Sequence, residues 1–366
     1  MNGLISARQL MLMLAAMRAA VITVFLPVVA QGDARQDAWI AALVTTLIGS
    51  LIGAMMASLA MRFPGKSLGS FGKETLGRPL GIVASVLVGM TLYVIAVSRL
   101  RLFSLVLVEE FFPQTPGWAI AVPIWLVVVY GSMLGVDSMG RAAEAVFTLI
   151  IGSIITGVLL LYVSQAAVLT NLAPVLERGW APVMEAAVSP IFSFSTTAAL
   201  VLAFGKYVAE PARLRGAVVG AILIAGALLT GLSALTVGVL GPHHAGHEMT
   251  PLLAVARAVF VGGVVERADL LLLAIWFVAV IFKITVLLLA TSIILGDALG
   301  ISFRCIAAVL FLVGIPAISF RLTDIFMLSK AYSPSVTSVV TAAIYVGVVG
   351  LVYGVALIRG KGGSGH

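Results

Sequence analysis

Residues 270–296 read LLLLAIWFVAVIFKITVLLLATSIILG, an apolar run broken by one charge, Lys283. Coiled as a helix it would be about 40 Å long, more than the roughly 30 Å hydrocarbon core of a bilayer. A barrel strand needs only about ten residues and alternates in polarity; this run does not alternate. In hydrocarbon every backbone N–H and C=O needs a partner inside the segment, so the stretch reads as a membrane-spanning helix. The same reading extends along the chain, to 8–30, 37–61, 79–108, 115–136, 142–165, 187–205, 213–240, 266–296, 303–320 and 335–358. Composition agrees: 61% of residues are hydrophobic and 10% charged, against roughly 25% charged in a soluble domain. The fold class is an all-α integral membrane protein with ten transmembrane helices. Arg8 followed by an apolar run resembles a secretory leader, but Arg18 interrupts that run and further spans come after it, so it is expected to be the uncleaved first span.

The net charge of +7 sits in short loops, which points to membrane orientation rather than to nucleic acid. Arg8, Arg62, Lys66, Lys73, Arg78, Arg141, Lys206, Arg213, Arg215, Arg304, Arg359 and Lys361 fall on one side. By the positive-inside rule that side is cytoplasmic, as are both termini. Residues 1–358 are expected to form one polytopic domain and 359–366 a flexible cytoplasmic tail. The external segment Pro251–Phe260 is apolar on one face and too short to span, so a surface-lying lid helix is expected there. His243, His244 and His247 fit no zinc spacing and are expected in a solvated external loop. Gly49-x-x-x-Gly53 and Gly216-x-x-x-Gly220 permit close helix approach. The single cysteine, Cys305, excludes an internal disulfide. With no phosphate loop, nucleophile triad or metal cluster in view, neither catalysis nor a cofactor or metal is expected.

Five phrases carry a resemblance. Gln36-Asp-Ala-Trp-Ile40 opens the second span and Arg62-Phe-Pro-Gly-Lys66 closes it. Thr115-Pro-Gly-Trp118 opens the fourth. Asn171-Leu-Ala-Pro-Val-Leu-Glu-Arg-Gly-Trp180 precedes the sixth, and Leu273-Ala-Ile-Trp276 with Phe282-Lys-Ile-Thr285 marks the eighth. In this order they resemble the B subunit of spore germinant receptors, the endospore germination permease family of the amino acid–polyamine–organocation superfamily. The resemblance implies a leucine-transporter-like fold: a 5+5 inverted repeat, here 8–165 and 187–358, with broken first and sixth helices whose freed backbone groups bind substrate. It implies partner subunits, an A subunit and a lipoprotein C subunit, in the spore inner membrane.

The sixth span opens Ser189-Pro-Ile-Phe-Ser-Phe-Ser-Thr-Thr197. Pro190 lacks an N–H, and the hydroxyls after it either bond back to helix carbonyls or serve an opened backbone and a polar ligand. With the resemblance, Ser193, Ser195, Thr196 and Thr197 are expected to form an unwound substrate-binding segment, facing Ala19, Ala20 and Thr23 of the first span. The sequence departs from the family here: Ser195-Thr-Thr-Ala198 stands where an acidic residue is usual, and Ile22 where a glycine is. Arg18, Arg99, Arg101 and Lys283 lie inside spans, each costing about 2.5–3.5 kcal/mol at a helix centre on insertion scales. Arg18 either grips a ligand carboxylate through its planar fork or bonds carbonyls of the broken sixth helix. Lys283 is expected to take the place of the coupling ion that sodium-dependent relatives hold between the first and eighth helices. At most one of Arg99 and Arg101 faces the site, and Tyr93 is either a pocket wall or a packing aromatic. The expected function is a receptor subunit that binds a small nutrient, most plausibly an amino acid, and signals to its partners. The alternatives are a proton-coupled or exchange transporter of amino acids or amines, and a scaffold with a vestigial pocket.

Overall fold

The computed structural model describes residues 3–22, 34–164, 168–247, 254–255, 268–319 and 334–360. Among the described residues, ten long helices succeed one another: α1 (Ala7–Ile22), α2 (Ala38–Met61), α3 (Arg78–Glu110), α4 (Gly117–Leu134), α5 (Val136–Ser164), α6 (Trp180–Ala199), α7 (Leu214–His247), α8 (Ala268–Leu299), α9 (Phe303–Ser319) and α10 (Pro334–Ile358). Seven of them, α2 to α5, α7, α8 and α10, are long and apolar enough to cross a bilayer, and α6 makes an eighth when its two arms count as one span. α1 and α9 have 16 and 17 residues, and each runs up to the edge of the described residues. No strand occurs among the described residues beyond one isolated bridge between Ile5 and Val208.

α1 is the central element. Leu10, Met13, Leu14, Ala15 and Ala16 are fully buried, and the helix packs against α5, α7 and α8. α8, the helix whose sequence decided the fold, packs against α1, α3, α4 and α5. Leu47 and Leu51 of α2, Tyr130 of α4 and Tyr162 of α5 point outward, as apolar side chains do where the solvent is lipid. Gly49 and Gly53 set α2 close to its neighbours. A Cβ on Gly49 would come within 2.9 Å of the Phe194 side chain on α6, and one on Gly53 would strike Ile222 and Val218 on α7. Gly220 meets Met11, whereas Gly216 has open space around it, so only the first Gly-x-x-x-Gly is a full packing seam.

Three local features differ from the sequence expectation. A short helix, Leu68–Leu76, lies between α2 and α3. Its first-turn N–H groups of Ser70 and Phe71 donate to the Ser67 carbonyl, and Gly77 ends it at φ 89°, a conformation only glycine adopts without strain. Gly69 lies directly on the α8 backbone at Ile294 and Ala298. The histidine segment is helical rather than a loop: α7 turns sharply at Gly241 (φ 78°, ψ 159°), and Pro242–His247 continues as a helical turn. The cause is the Gly-Pro pair, which breaks one helix and can start the next because proline needs no N–H at a helix start. The expected lid, Pro251–Phe260, lies outside the described residues save Ala254 and Val255, as do the end of the tail and Thr23.

α6 corrects the expected position of its break. The arms Trp180–Val188 and Ser193–Tyr207 meet at 41°, so the bend precedes the hydroxyl run. Ser193–Thr197 is helical, not unwound. Proline removes the hydrogen bond to the carbonyl four residues back and crowds it, so Pro190 disturbs the turn before it and leaves the turn after it intact. The Ala187 carbonyl, in that disturbed turn, accepts from the Thr45 hydroxyl of α2 at 3.2 Å, which also donates to Ala41 O at 2.8 Å.

Candidate functional site

Many hydroxyls on the other membrane helices satisfy themselves, Ser233 of α7 being an exception. Thr46, Thr91, Ser104, Thr236, Thr291 and Ser292 each donate to the carbonyl four residues back at 2.7–2.9 Å. The run on α6 behaves differently. Ser193 Oγ accepts a 2.6 Å hydrogen bond from Arg18 Nη1, Thr196 faces the Tyr345 hydroxyl of α10, and Thr197 Oγ1 is buried with no hydrogen-bond partner. Ser193 and Thr196 thus meet side chains of other helices, α1 and α10.

Arg18 is 4% exposed and is held from two sides of the same turn. Its guanidinium stacks over the Phe194 ring at 4.5 Å while Nη1 meets Ser193. Of the two expected roles, a grip on carbonyls of α6 gives way to a grip on a hydroxyl and a ring. Two residues further along α1, the Ala20 carbonyl accepts a 3.1 Å hydrogen bond from Trp276 Nε1 of α8. Trp276 in turn meets the Phe103 ring of α3 edge-on, with centroids 4.7 Å apart. One indole therefore ties α1, α8 and α3 together beside Arg18.

That junction also brings the other intramembrane cations close. Arg99 is about one turn from Phe103 on α3, and Lys283 about two turns from Trp276 on α8. Lys283 is 4% exposed, so its ammonium does not snorkel to the protein surface. Arg18, Arg99 and Lys283 lie within electrostatic reach of one another. Asp37 is the one buried carboxylate among the described residues, and it is committed at the other end of α2, where it accepts from the Leu176 N–H at 2.9 Å.

Tyr93 is not in this group. Its hydroxyl donates to the Leu310 carbonyl of α9 at 2.8 Å and its ring leans on Trp125 of α4 at 6.4 Å. It joins α3, α9 and α4, the packing role among its two expected alternatives. Ala19 and Ala20 are buried beside Arg18 on α1, and Ser195 is buried on α6. The sequence reading missed Asp297 altogether. At the end of α8 its carboxylate pairs with Lys206 at 2.6 Å and accepts from Ser67, while Lys73 Nζ donates to the Asp297 and Ala298 carbonyls at 2.6 and 3.1 Å. An acid among basic loop residues was its one visible signal.

A family described as Spore germination protein matches residues 4–325. The chain belongs to that family. The match ends before α10. Among curated relatives, Spore germination protein YndE of Bacillus subtilis (strain 168) is 22% identical over 269 residues, 71% of each chain. Spore germination protein KB of the same strain is 25% identical over 271 residues, 70% of this chain and 69% of that one. Among solved structures, Mhp1, a nucleobase-cation-symport-1 family transporter in a closed conformation with bromovinylhydantoin bound, superimposes with TM-score 0.71 at 16% identity, covering 95% of this chain and 78% of that one. MhsT in complex with L-phenylalanine gives TM-score 0.66 at 18% identity, covering 99% and 91%. These likenesses establish the fold: a multi-pass, leucine-transporter-like helical bundle, in a member of the spore germination family.

Proposed function

We propose that this chain is the membrane subunit of a spore germinant receptor. It binds a small nutrient, an amino acid by preference, at mid-membrane between α1, α3, α6 and α8, and it passes the binding event to partner subunits. The observation that carries the reading is the Arg18–Ser193 bond, which joins the first and sixth helices in the bundle interior one turn from the buried, unpaired Thr197 hydroxyl. In this reading Arg18, Ala19, Ala20, Thr23, Ser193, Ser195, Thr196 and Thr197 surround the nutrient, and Lys283 stands where a coupling cation would otherwise bind. The partners are an A subunit and a lipoprotein C subunit, the location is the spore inner membrane with both termini cytoplasmic, and no reaction is catalysed. Reconstitution of the full chain in liposomes tests this: saturable nutrient binding with no net flux supports a receptor, and uphill uptake overturns it.

A second reading, a proton-coupled or exchange transporter of amino acids or amines, draws support from the cytoplasmic end. The Lys206–Asp297 pair closes α6 onto α8, and one ion pair between two helix ends is the kind of contact a gate can break and remake.

A further inference from the structure

Three cations in a membrane interior are a costly arrangement unless something negative joins them. At insertion-scale values each costs about 2.5–3.5 kcal/mol, and like charges at close range add to that. Arg18 has Ser193 and Phe194 as neighbours, neither of which carries charge. Arg99 Nε is buried without a hydrogen-bond partner. Lys283 is 4% exposed and within electrostatic reach of Arg18 and Arg99, and Asp37, the buried acid of the described residues, is bonded to the Leu176 N–H. Among the described residues the site therefore gathers three cations, and the one buried carboxylate is committed elsewhere.

We propose that an anion binds between Arg18, Arg99 and Lys283 and is required for occupancy of the nutrient site. This rests on the reading of that site as a nutrient pocket and narrows its ligand. The chemistry admits two sources. The anion is the second carboxylate of a dicarboxylate nutrient, such as an acidic amino acid, or a small inorganic anion, such as chloride, bound beside a neutral one. Arg18 and Arg99 offer planar forks suited to a carboxylate, and Lys283 a point charge. The hydroxyls of Thr196 and Thr197 on the facing helix supply neutral donors for the remainder of the ligand.

The test uses the full chain in nanodiscs, with equilibrium binding of L-aspartate, succinate and a panel of neutral amino acids. Each titration is run in chloride-free buffer based on a bulky sulfonate and again with chloride added. Dicarboxylates binding at least about tenfold tighter than every neutral amino acid without chloride would assign the anion to the nutrient. Neutral amino acids binding only when chloride is added would assign it to the inorganic ion. In either case Lys283→Gln and Arg99→Gln are expected to weaken binding by at least about tenfold, and Lys283→Arg to retain it. Neutral ligands binding equally well with and without chloride, and as tightly as dicarboxylates, would overturn the anion site while leaving the nutrient pocket standing. Binding of none of these ligands in either buffer would overturn both. The wild-type titrations decide the matter even where a variant fails to fold.

Discussion

Lys206 Nζ and Asp297 Oδ2 stand 2.6 Å apart, joining the segment just after the sixth helix to the end of the eighth. The pair is not isolated. Ser67 donates to the same carboxylate, and Lys73 donates to the final carbonyls of α8, where a cation also opposes the negative end of the helix dipole. Two parts of the chain, the short helix after α2 and the end of α6, therefore converge on one aspartate. The two side chains keep 18% and 26% exposure, so solvent weakens the pair. A double-mutant cycle with Lys206→Gln and Asp297→Asn is expected to give a coupling energy of about 1 kcal/mol, read from thermal unfolding in detergent. A coupling indistinguishable from zero would mean that the two helix ends are held by other contacts.

Arg18 should tolerate little change. Arg18→Lys keeps the charge but cannot both stack flat on Phe194 and reach Ser193, since an ammonium is a compact point charge rather than a planar fork. Hydrogen bonds to charged groups contribute about 1.5–3 kcal/mol. Arg18→Lys is accordingly expected to weaken nutrient binding by at least about tenfold, Ser193→Ala to weaken it less, and Ser193→Thr, which keeps the hydroxyl, to leave it near wild type. Isothermal titration in nanodiscs checks the ranking, and equal effects of Ser193→Ala and Ser193→Thr would detach the hydroxyl from Arg18.

Tyr93 separates packing from binding. Tyr93→Phe removes the hydrogen bond to Leu310 O and leaves a buried carbonyl with one partner fewer, a loss of about 1 kcal/mol. The expected signature is a lower unfolding midpoint with unchanged nutrient affinity. A changed ligand preference in Tyr93→Phe would return the residue to the pocket.

The spans were legible because lipid imposes one rule on every segment, and residues 270–296 satisfy it at sight. The buried cations were legible for the same reason, since Arg18 and Lys283 stand out against apolar neighbours. What the sequence concealed is pairing across long separations. Arg18 and Ser193 are 175 residues apart, Tyr93 and Leu310 217, and Ser67 and Asp297 230, and no periodicity encodes such contacts. The break in α6 is visible as Pro190, but the hydroxyl run draws the eye downstream of it, whereas the steric conflict of a proline acts upstream. The short helix Leu68–Leu76 is hard to see because its nine residues read as a loop and include Gly69, Gly72 and Lys73. Asp297 reads as a loop residue for a similar reason, coming directly after Gly296 at the end of an apolar run.

The two Gly-x-x-x-Gly motifs look alike in sequence and should behave differently on substitution. Gly49 faces Phe194, the ring that stacks on Arg18, and a Cβ there would stand 2.9 Å from Phe194 Cβ and 3.2 Å from its Cγ. Gly216 faces open space. A valine at 49 must push α2 away from α6 or turn Phe194 aside, at an overpacking cost of about 1–3 kcal/mol. A valine at 216 meets nothing, and the small helix-propensity difference slightly favours it over glycine. Gly49→Val is therefore expected to lower the unfolding midpoint and, by displacing Phe194 from Arg18, to weaken nutrient binding as well. Gly216→Val is expected to change neither. Comparable losses in both variants would show that the second motif also packs, against a surface outside this chain, and a loss of stability in Gly49→Val with wild-type affinity would show that the Phe194 ring is dispensable to the Arg18 site.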